Sequence, residues 1–309
     1  MIDYRPEFVR QFRWPQRAVQ SPLSIAHRGA SAHANENTLT AFRKAATLGA
    51  AMWEVDVRLS KDSFPVISHD AHLHLADGRD LLIAEHDGGS LMAERLARGG
   101  GMPCLASTVA LAIETGCGLY VEVKERAAAL PALAVLERSD IPFAAIGSFD
   151  HDTVRDLVAT RPRFPVAVLV RVGEDPFAAA EATGASVIHL CWERDGDDPD
   201  RLVTDDRLER AAALKLGVVL WHEERRDVLD RLLAKPVLGI CTDKPEMMNR
   251  YAPDSALPIN VVCHRGMNRL APENTLHAAR LCFDQGFQTV ELDVHQIADG
   301  AIVVHHDRT

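Results

Sequence analysis

Glu54 and Asp56 lie two positions apart in the apolar run Met52–Val57. Side chains alternate along a strand, so the two carboxylates share one face and Val55 and Val57 take the other. Two like charges buried together are costly unless a cation neutralises them. A third carboxylate, Glu122 in the run Gly118–Val123, would complete an all-oxygen set of the kind Mg2+ or Ca2+ takes. Lys124 shares a face with Glu122. His27 and His69 each close a short apolar run. An imidazole with an ordinary pKa of about 6.5 suits both proton removal and proton donation near neutrality. Arg28 and Lys124 offer the positive charge that phosphate oxygens need, one as a planar fork and the other as a point charge. Asn37 is placed to orient His27 or to donate to a substrate, although Glu36-Asn37-Thr38 equally reads as the start of a helix.

Taken singly, such residues are usually structural: an acidic pair is most often solvated, and a histidine on a strand is most often a satisfied core group. His33, His72, His74, His86 and His151 are set aside on that ground, and His189 is read as facing the interior of the fold. Repetition separates the others. Residues 25–70 and 262–307 align without a gap at an offset of 237, and 18 of the 46 positions are identical. The pairs include His27/His264, Glu36/Glu273, Glu54/Glu291, Asp56/Asp293 and His69/His306. Two copies of a fold need share only an apolar pattern. Polar residues kept at fixed spacing point instead to a site that does chemistry.

The elements that must position these groups alternate. Strand-like runs fall at 23–26, 52–57, 118–123, 143–148, 166–171, 186–190, 217–221 and 238–242, and Ala/Leu/Arg/Glu-rich helical segments lie between most of them. Eight such units over about 250 residues predict an α/β fold of the closed (β/α)8 TIM-barrel type, with its site at the C-terminal rim of the strands. A doubly wound sheet is disfavoured, because HRGASAHANENT lacks a dinucleotide glycine pattern. The run 64–68 follows its predecessor too closely for a crossover. It predicts an antiparallel hairpin that sets position 56 opposite 68 and brings His69 beside Glu54 and Asp56. The expected organisation is an N-terminal arm over 1–22, a barrel over 23–248, a linker over 249–260 and a partial second copy over 261–309. Two strands cannot close a barrel, so the second copy is read as truncated and, lacking counterparts of Glu122 and Lys124, as inactive. The glycine-rich insertion 71–102 reads as a lid or selectivity loop.

Composition narrows the partners. With 34 basic against 44 acidic residues the net charge is −10, which argues against nucleic acid and leaves a small anionic substrate as partner. No apolar stretch is long enough to span a bilayer, and the arginine-bearing N-terminus has no signal-peptide core, so a cytoplasmic location is expected. The aromatic, basic arm is expected to cover the bottom of the barrel rather than a membrane. The six cysteines form no C-x-x-C pair and read as reduced core thiols.

HRG at 27–29, ENT at 36–38, E-x-D at 54–56, PVxxHD at 65–70, E-x-K at 122–124, SFD at 148–150 and TDKP at 242–245 together resemble the glycerophosphodiester phosphodiesterase family. The resemblance implies a TIM barrel of the phosphoinositide-phospholipase-C-like phosphodiesterase type. It also implies hydrolysis of glycerophosphodiesters to glycerol 3-phosphate and an alcohol. Carried over by motif, His27 and His69 are the acid/base pair, and Glu54, Asp56 and Glu122 hold one divalent cation, Mg2+ or Ca2+. Arg28, Lys124 and Asn37 contact the substrate, and Trp221 forms an apolar wall for its glycerol. Similarity to relatives further implies attack by the substrate's own hydroxyl and a cyclic phosphate that water opens. Relatives that stop at the cyclic phosphate or act on lysolipids, and a non-catalytic binding barrel, are the alternatives. Asn35 stands where the family usually has proline, and Trp221-His222-Glu223-Glu224 stands where it has Trp-Thr-Val-Asn; both departures bear on the substrate pocket.

Overall fold

The computed structural model describes residues 4–192, 196–248, 261–285, 287 and 289–307, and these divide into two units, 1–245 and 246–309. The proposed linker 249–260 lies outside the described residues. In the first unit eight parallel strands close on themselves: β1 (Leu23–Ala26), β2 (Met52–Leu59), β3 (Gly118–Val123), β4 (Ala144–Ser148), β5 (Val166–Arg171), β6 (Val187–Cys191), β7 (Gly217–Trp221) and β8 (Gly239–Thr242). Each pairs with the next, and β8 returns to β1 in the register Leu23↔Gly239 to Ala26↔Thr242. Helices Leu39–Thr47, Leu105–Thr115, Ala129–Glu137, His151–Ala159, Pro176–Thr183, Asp205–Ala213 and Arg226–Leu232 occupy the crossovers. The chain therefore folds as the expected (β/α)8 barrel, with element ends within a few residues of the sequence pattern.

The hairpin register also matches. The arm Pro65–Ile67 runs antiparallel to β2 with Val57↔Ile67 and Leu59↔Pro65, and the Ser68 N–H donates to the Asp56 carbonyl at 3.0 Å. β2 continues to Leu59, past the expected Val57, because the arm supplies it with a partner. Residues 71–102 form more than a loop. A two-stranded hairpin (His72–His74 with Asp80–Leu82) and a helix (Gly88–Ala93) bury Leu73, Leu75, Ile83, Leu91, Leu96 and Met102 against Val66 of the arm.

The floor of the barrel is apolar. Helix Arg5–Phe12 and the turn after it seat Phe8 and Trp14 against Leu23, Met52, Val187, Val219 and Leu238, and Val218 N–H donates to the Tyr4 hydroxyl at 3.0 Å. The arm thus covers the N-terminal ends of the strands, as its aromatic content predicts. Above this floor lie Tyr120 and His189, both fully buried and meeting edge to face at 4.9 Å between ring centroids. Neither ring nitrogen of His189 has a hydrogen-bond partner, and burial pushes its pKa down to about 3.

The second unit pairs Val262–His264 with Thr289–Glu291 in parallel and Val294–Gln296 with Ile302–Val304 in an antiparallel hairpin, with helix Leu276–Asp284 between. Val262, Leu276, Phe283, Val294 and Ile302 are exposed.

A buried neutral histidine sets a sign for acid sensitivity. Below pH 6.5 the unfolded chain takes up a proton that folded His189 refuses, so stability falls with pH from 6.5 toward 3. Urea unfolding at pH ~5 should show this single group costing about 2 kcal/mol relative to pH ~7, and His189→Leu should remove that share of the loss. An identical pH slope in the variant would refute the assignment.

Candidate active site

The polar rim follows from strand register. Asp56 and Glu122 are direct partners across β2 and β3, and Glu54 lies two residues earlier on the same face, so three carboxylates converge at the barrel mouth. One oxygen from each lies within 4.8 Å of the other two, and all three groups are buried. Arg28 follows β1 with φ 55°, and Gly29 continues the left-handed turn at φ 86°. A Cβ on Gly29 would sit 2.8 Å from the Ala41 backbone, so glycine alone fits there. This turn aims the Arg28 N–H at Glu54 Oε2 (3.0 Å) and sets its guanidinium Nε 3.0 Å from Asp56 Oδ2. Lys124 Nζ lies 3.3 Å from Asp56 Oδ1 and 2.5 Å from Glu122 Oε1.

Asn37, fully buried at φ 55°, donates its amide to Asp56 Oδ2 (2.8 Å) while its oxygen faces the Asp56 N–H at 3.4 Å. Helix capping falls instead to Thr38, whose hydroxyl accepts from Ala41 N–H. Capping thus belongs to Thr38, and Asn37 orients Asp56 rather than His27, whose partner is Asp243.

Three carboxylates face two fixed cations, and the protonation equilibria reflect the imbalance. Burial, with Asp56 and Glu122 alongside, pushes Glu54 well above the ordinary carboxylate range. Burial and Asp56 likewise raise Glu122. Asp56 resists its own burial because Lys124, Arg28 and the Asn37 amide favour its charged form, and it titrates low. Asp56 Oδ1 is buried, and the ion-pair contact with Lys124 Nζ at 3.3 Å falls short of a well-formed hydrogen bond. A buried carboxylate oxygen only loosely held, in an all-oxygen set one positive charge short of neutral, suits a hard divalent cation.

His27 follows β1, and its Nδ1 bonds Asp243 Oδ1 at 2.7 Å; Ser31 Oγ donates to the same oxygen at 2.7 Å. Burial lowers the His27 pKa against the pull of Asp243. Asp243 is itself held down to about 2: burial opposes its charge, but the hydrogen bond to His27 prevails. The Trp221 ring meets His27 edge-on at 5.1 Å, and Phe149 stands 6.5 Å from Trp221, giving the rim one apolar wall. His69, at the end of the hairpin arm, pairs with Asp70 at 2.8 Å, and its carbonyl accepts from Arg58 Nε and Nη2. It lies close enough to bear electrostatically on Asp56 and Glu122. The structure thus brings His27, Arg28, Asn37, Glu54, Asp56, His69, Glu122, Lys124 and Trp221 to one mouth. Sequence reasoning missed Asp243 and Ser31 as partners of His27; TDKP marked Asp243 as notable without showing what it faces.

The model of the glycerophosphoryl diester phosphodiesterase family matches residues 27–99 and again 264–309, the two segments that carry the repeated motifs. Over these two segments the chain is similar to that family. A glycerophosphodiester phosphodiesterase of Caldanaerobacter subterraneus is 27% identical over 241 residues, covering 73% of this chain and 96% of that protein. A rat lysophospholipase D is 40% identical over 72 residues, which are 23% of each chain. The structure of an Oleispira antarctica phosphodiesterase in complex with the product sn-glycerol-3-phosphate superposes with a TM-score of 0.64 at 22% identity, covering 74% of this chain and 96% of that one. The second unit repeats part of the first unit's local geometry. Arg265, Gly266 and Asn274 keep positive φ, and Asn274 donates to Asp293 at 2.9 Å. However, the Asp293 side chain is 25% exposed where Asp56 is 1% exposed.

The Asn37–Asp56 pair is buried, so Asn37→Ala should destabilise the barrel by about 1–3 kcal/mol in chemical denaturation. A change below about 0.5 kcal/mol would show that water replaces the amide without loss.

Proposed function

We propose that the barrel hydrolyses glycerophosphodiesters to sn-glycerol 3-phosphate and an alcohol, with one divalent cation, Mg2+ or Ca2+, held by Glu54, Asp56 and Glu122. The match to the glycerophosphoryl diester phosphodiesterase model and the similarity to a glycerophosphodiester phosphodiesterase support a phosphoric diester hydrolase, and the relative solved with sn-glycerol-3-phosphate supports this product. The observation that carries the reading is the buried carboxylate triad set between Arg28 and Lys124, with the His27–Asp243 pair beside it. The three carboxylates and two bases sum to −1; a dication brings the site to +1, which matches a singly charged phosphodiester.

When bound, the cation would supply electrostatic stabilisation of the charge that develops on the phosphoryl oxygens. Arg28 and Lys124, already fixed by their carboxylates, add preorganised positive charge and lose little freedom on binding. His27 is the base. Its lowered pKa keeps the ring neutral near pH 7, and Asp243 fixes its tautomer and orientation. It takes the proton from the attacking oxygen, which is the substrate's neighbouring hydroxyl or water. His69, across the mouth on the hairpin arm, donates the proton to the departing alkoxide. Asn37 holds Asp56, and Trp221 with Phe149 gives the glycerol carbons an apolar surface. The local similarity to a lysophospholipase D favours a second substrate class, lysolipids, on the same chemistry.

Among the described residues no helix is long and apolar enough to cross a membrane. The six free cysteines, five of them buried, fit a reducing compartment and support a cytoplasmic site of action.

His27→Ala should lower kcat/KM by ~10²–10⁴, and Glu54→Gln should abolish release of glycerol 3-phosphate, with circular dichroism unchanged in both. Wild-type turnover in either would reject the reading; phosphorus NMR of the products separates full hydrolysis from cyclic phosphate or lysolipid cleavage. The cation must also compete with protons on Glu54 and Glu122, whose pKa values are raised, so its affinity should weaken as pH falls. Calorimetric titration of Mg2+ and Ca2+ between pH ~8 and ~5 should show this trend. Affinity that does not change with pH would place the ion elsewhere.

A further inference from the structure

The ends of β7, β8 and β1 are neighbours in the barrel, and each is followed by a potential metal ligand: His222, Asp243 and His27. One ligating atom from each of these side chains lies within 4.8 Å of the other two. His27 and His222 have ring centroids 5.1 Å apart. This cluster is chemically unlike the carboxylate triad, having two imidazoles and one carboxylate. We infer that His27, His222 and Asp243 form a second cation site, selective for an imidazole-preferring transition dication such as Zn2+, at the mouth of the barrel.

The surroundings are built for it. A metal-binding histidine characteristically gives its other ring nitrogen to a carboxylate, which fixes its orientation. His222 Nδ1 lies 3.0 Å from Glu224 Oε2. The other oxygen of Glu224 accepts from Thr242 Oγ1 (3.1 Å) and from the Asp243 N–H (2.7 Å), so one carboxylate ties His222 to the strand end that carries Asp243. Asp243 is oriented in turn by Ser31. The side chains of His27, His222 and Asp243 are 10%, 23% and 33% exposed, open enough for an ion to enter from solvent. Two nitrogen donors with one oxygen donor select zinc or cobalt over magnesium or calcium, and three protein ligands leave a position for water or a phosphoryl oxygen.

The consequence is inhibitory, and only this part rests on the hydrolase reading: an ion held by His27 occupies the ring that must move the proton. Co2+ serves as the probe, titrated into the full chain with excess Mg2+ present and followed by visible absorption. A single equivalent should bind with the intense bands of four-coordinate cobalt and be displaced by Zn2+. His222→Thr should weaken cobalt binding at least ~10-fold, Glu224→Gln should weaken it less, and Glu122→Gln should leave it unchanged. Wild-type cobalt affinity in His222→Thr overturns the site, as does its loss in Glu122→Gln. If His222→Thr does not fold, unchanged affinity in Glu224→Gln overturns it. In the hydrolase assay Zn2+ should suppress Mg2+-supported turnover, and His222→Thr should be at least ~10-fold less sensitive; equal sensitivity overturns the inhibitory role. A chain with no turnover in any condition refutes the hydrolase reading and leaves the cobalt titration to decide the site.

Discussion

Three carboxylates buried at the mouth of a barrel are the constraint on which the rest of the structure depends. Their mutual repulsion and lost hydration oppose folding, and the protein answers with groups on separate elements. Arg28 arrives on a left-handed turn after the first strand, Lys124 just past the end of the third, and Asn37 from the loop before helix Leu39–Thr47. Each approaches Asp56, the most deeply placed of the three, from a different direction. Two fixed positive charges do not balance three negative ones, and the remainder shows as a raised Glu54. Among these five groups one negative charge is left without a fixed counter-charge.

The fold was largely legible because the barrel's local rules agree with one another. Strands written in short β-rich runs, helices between them and a three-residue turn after β2 leave few alternatives. The hairpin register followed from chain length alone, since Lys61-Asp62-Ser63 allows no crossover. Glu54 and Asp56 were readable as a pair because strand alternation is a local property. That Glu122 lies directly opposite Asp56 depends on the stagger between β2 and β3, which no local pattern encodes. The same limit hid Asp243. Its partner His27 lies 216 positions away in sequence, and the two meet only because the eighth strand closes onto the first. The insertion 71–102 was readable as glycine-rich but not as a folded unit. Its apolar residues are scattered among turns and gather into a cluster only in three dimensions.

The two units show what the barrel adds to a shared local motif. In both, the chain turns left-handed at the arginine and glycine, and an asparagine grips the second acid of the E-x-D pair. The local sequence is enough to write that geometry twice. In the first unit the neighbouring strand covers Asp56 and supplies Glu122 and Lys124. In the second the corresponding acid is more exposed, and Arg265 and Asn274 hold it. Burial, and the unusual protonation that follows from it, comes from the surrounding strands, not from the motif.

The arm bearing His69 is held between two supports. β2 pairs with it on one side, and on the other the folded insertion packs Leu73, Leu91 and Met102 against Val66, while Pro103 accepts from Ile67 N–H. Arg98 of the insertion also grips Glu36, which in turn grips Arg28. Two groups assigned to the chemistry thus take part of their position from a module that can change length and composition without disturbing the barrel. Changes in that segment can therefore shift His69 and Arg28 while the eight barrel strands keep their register.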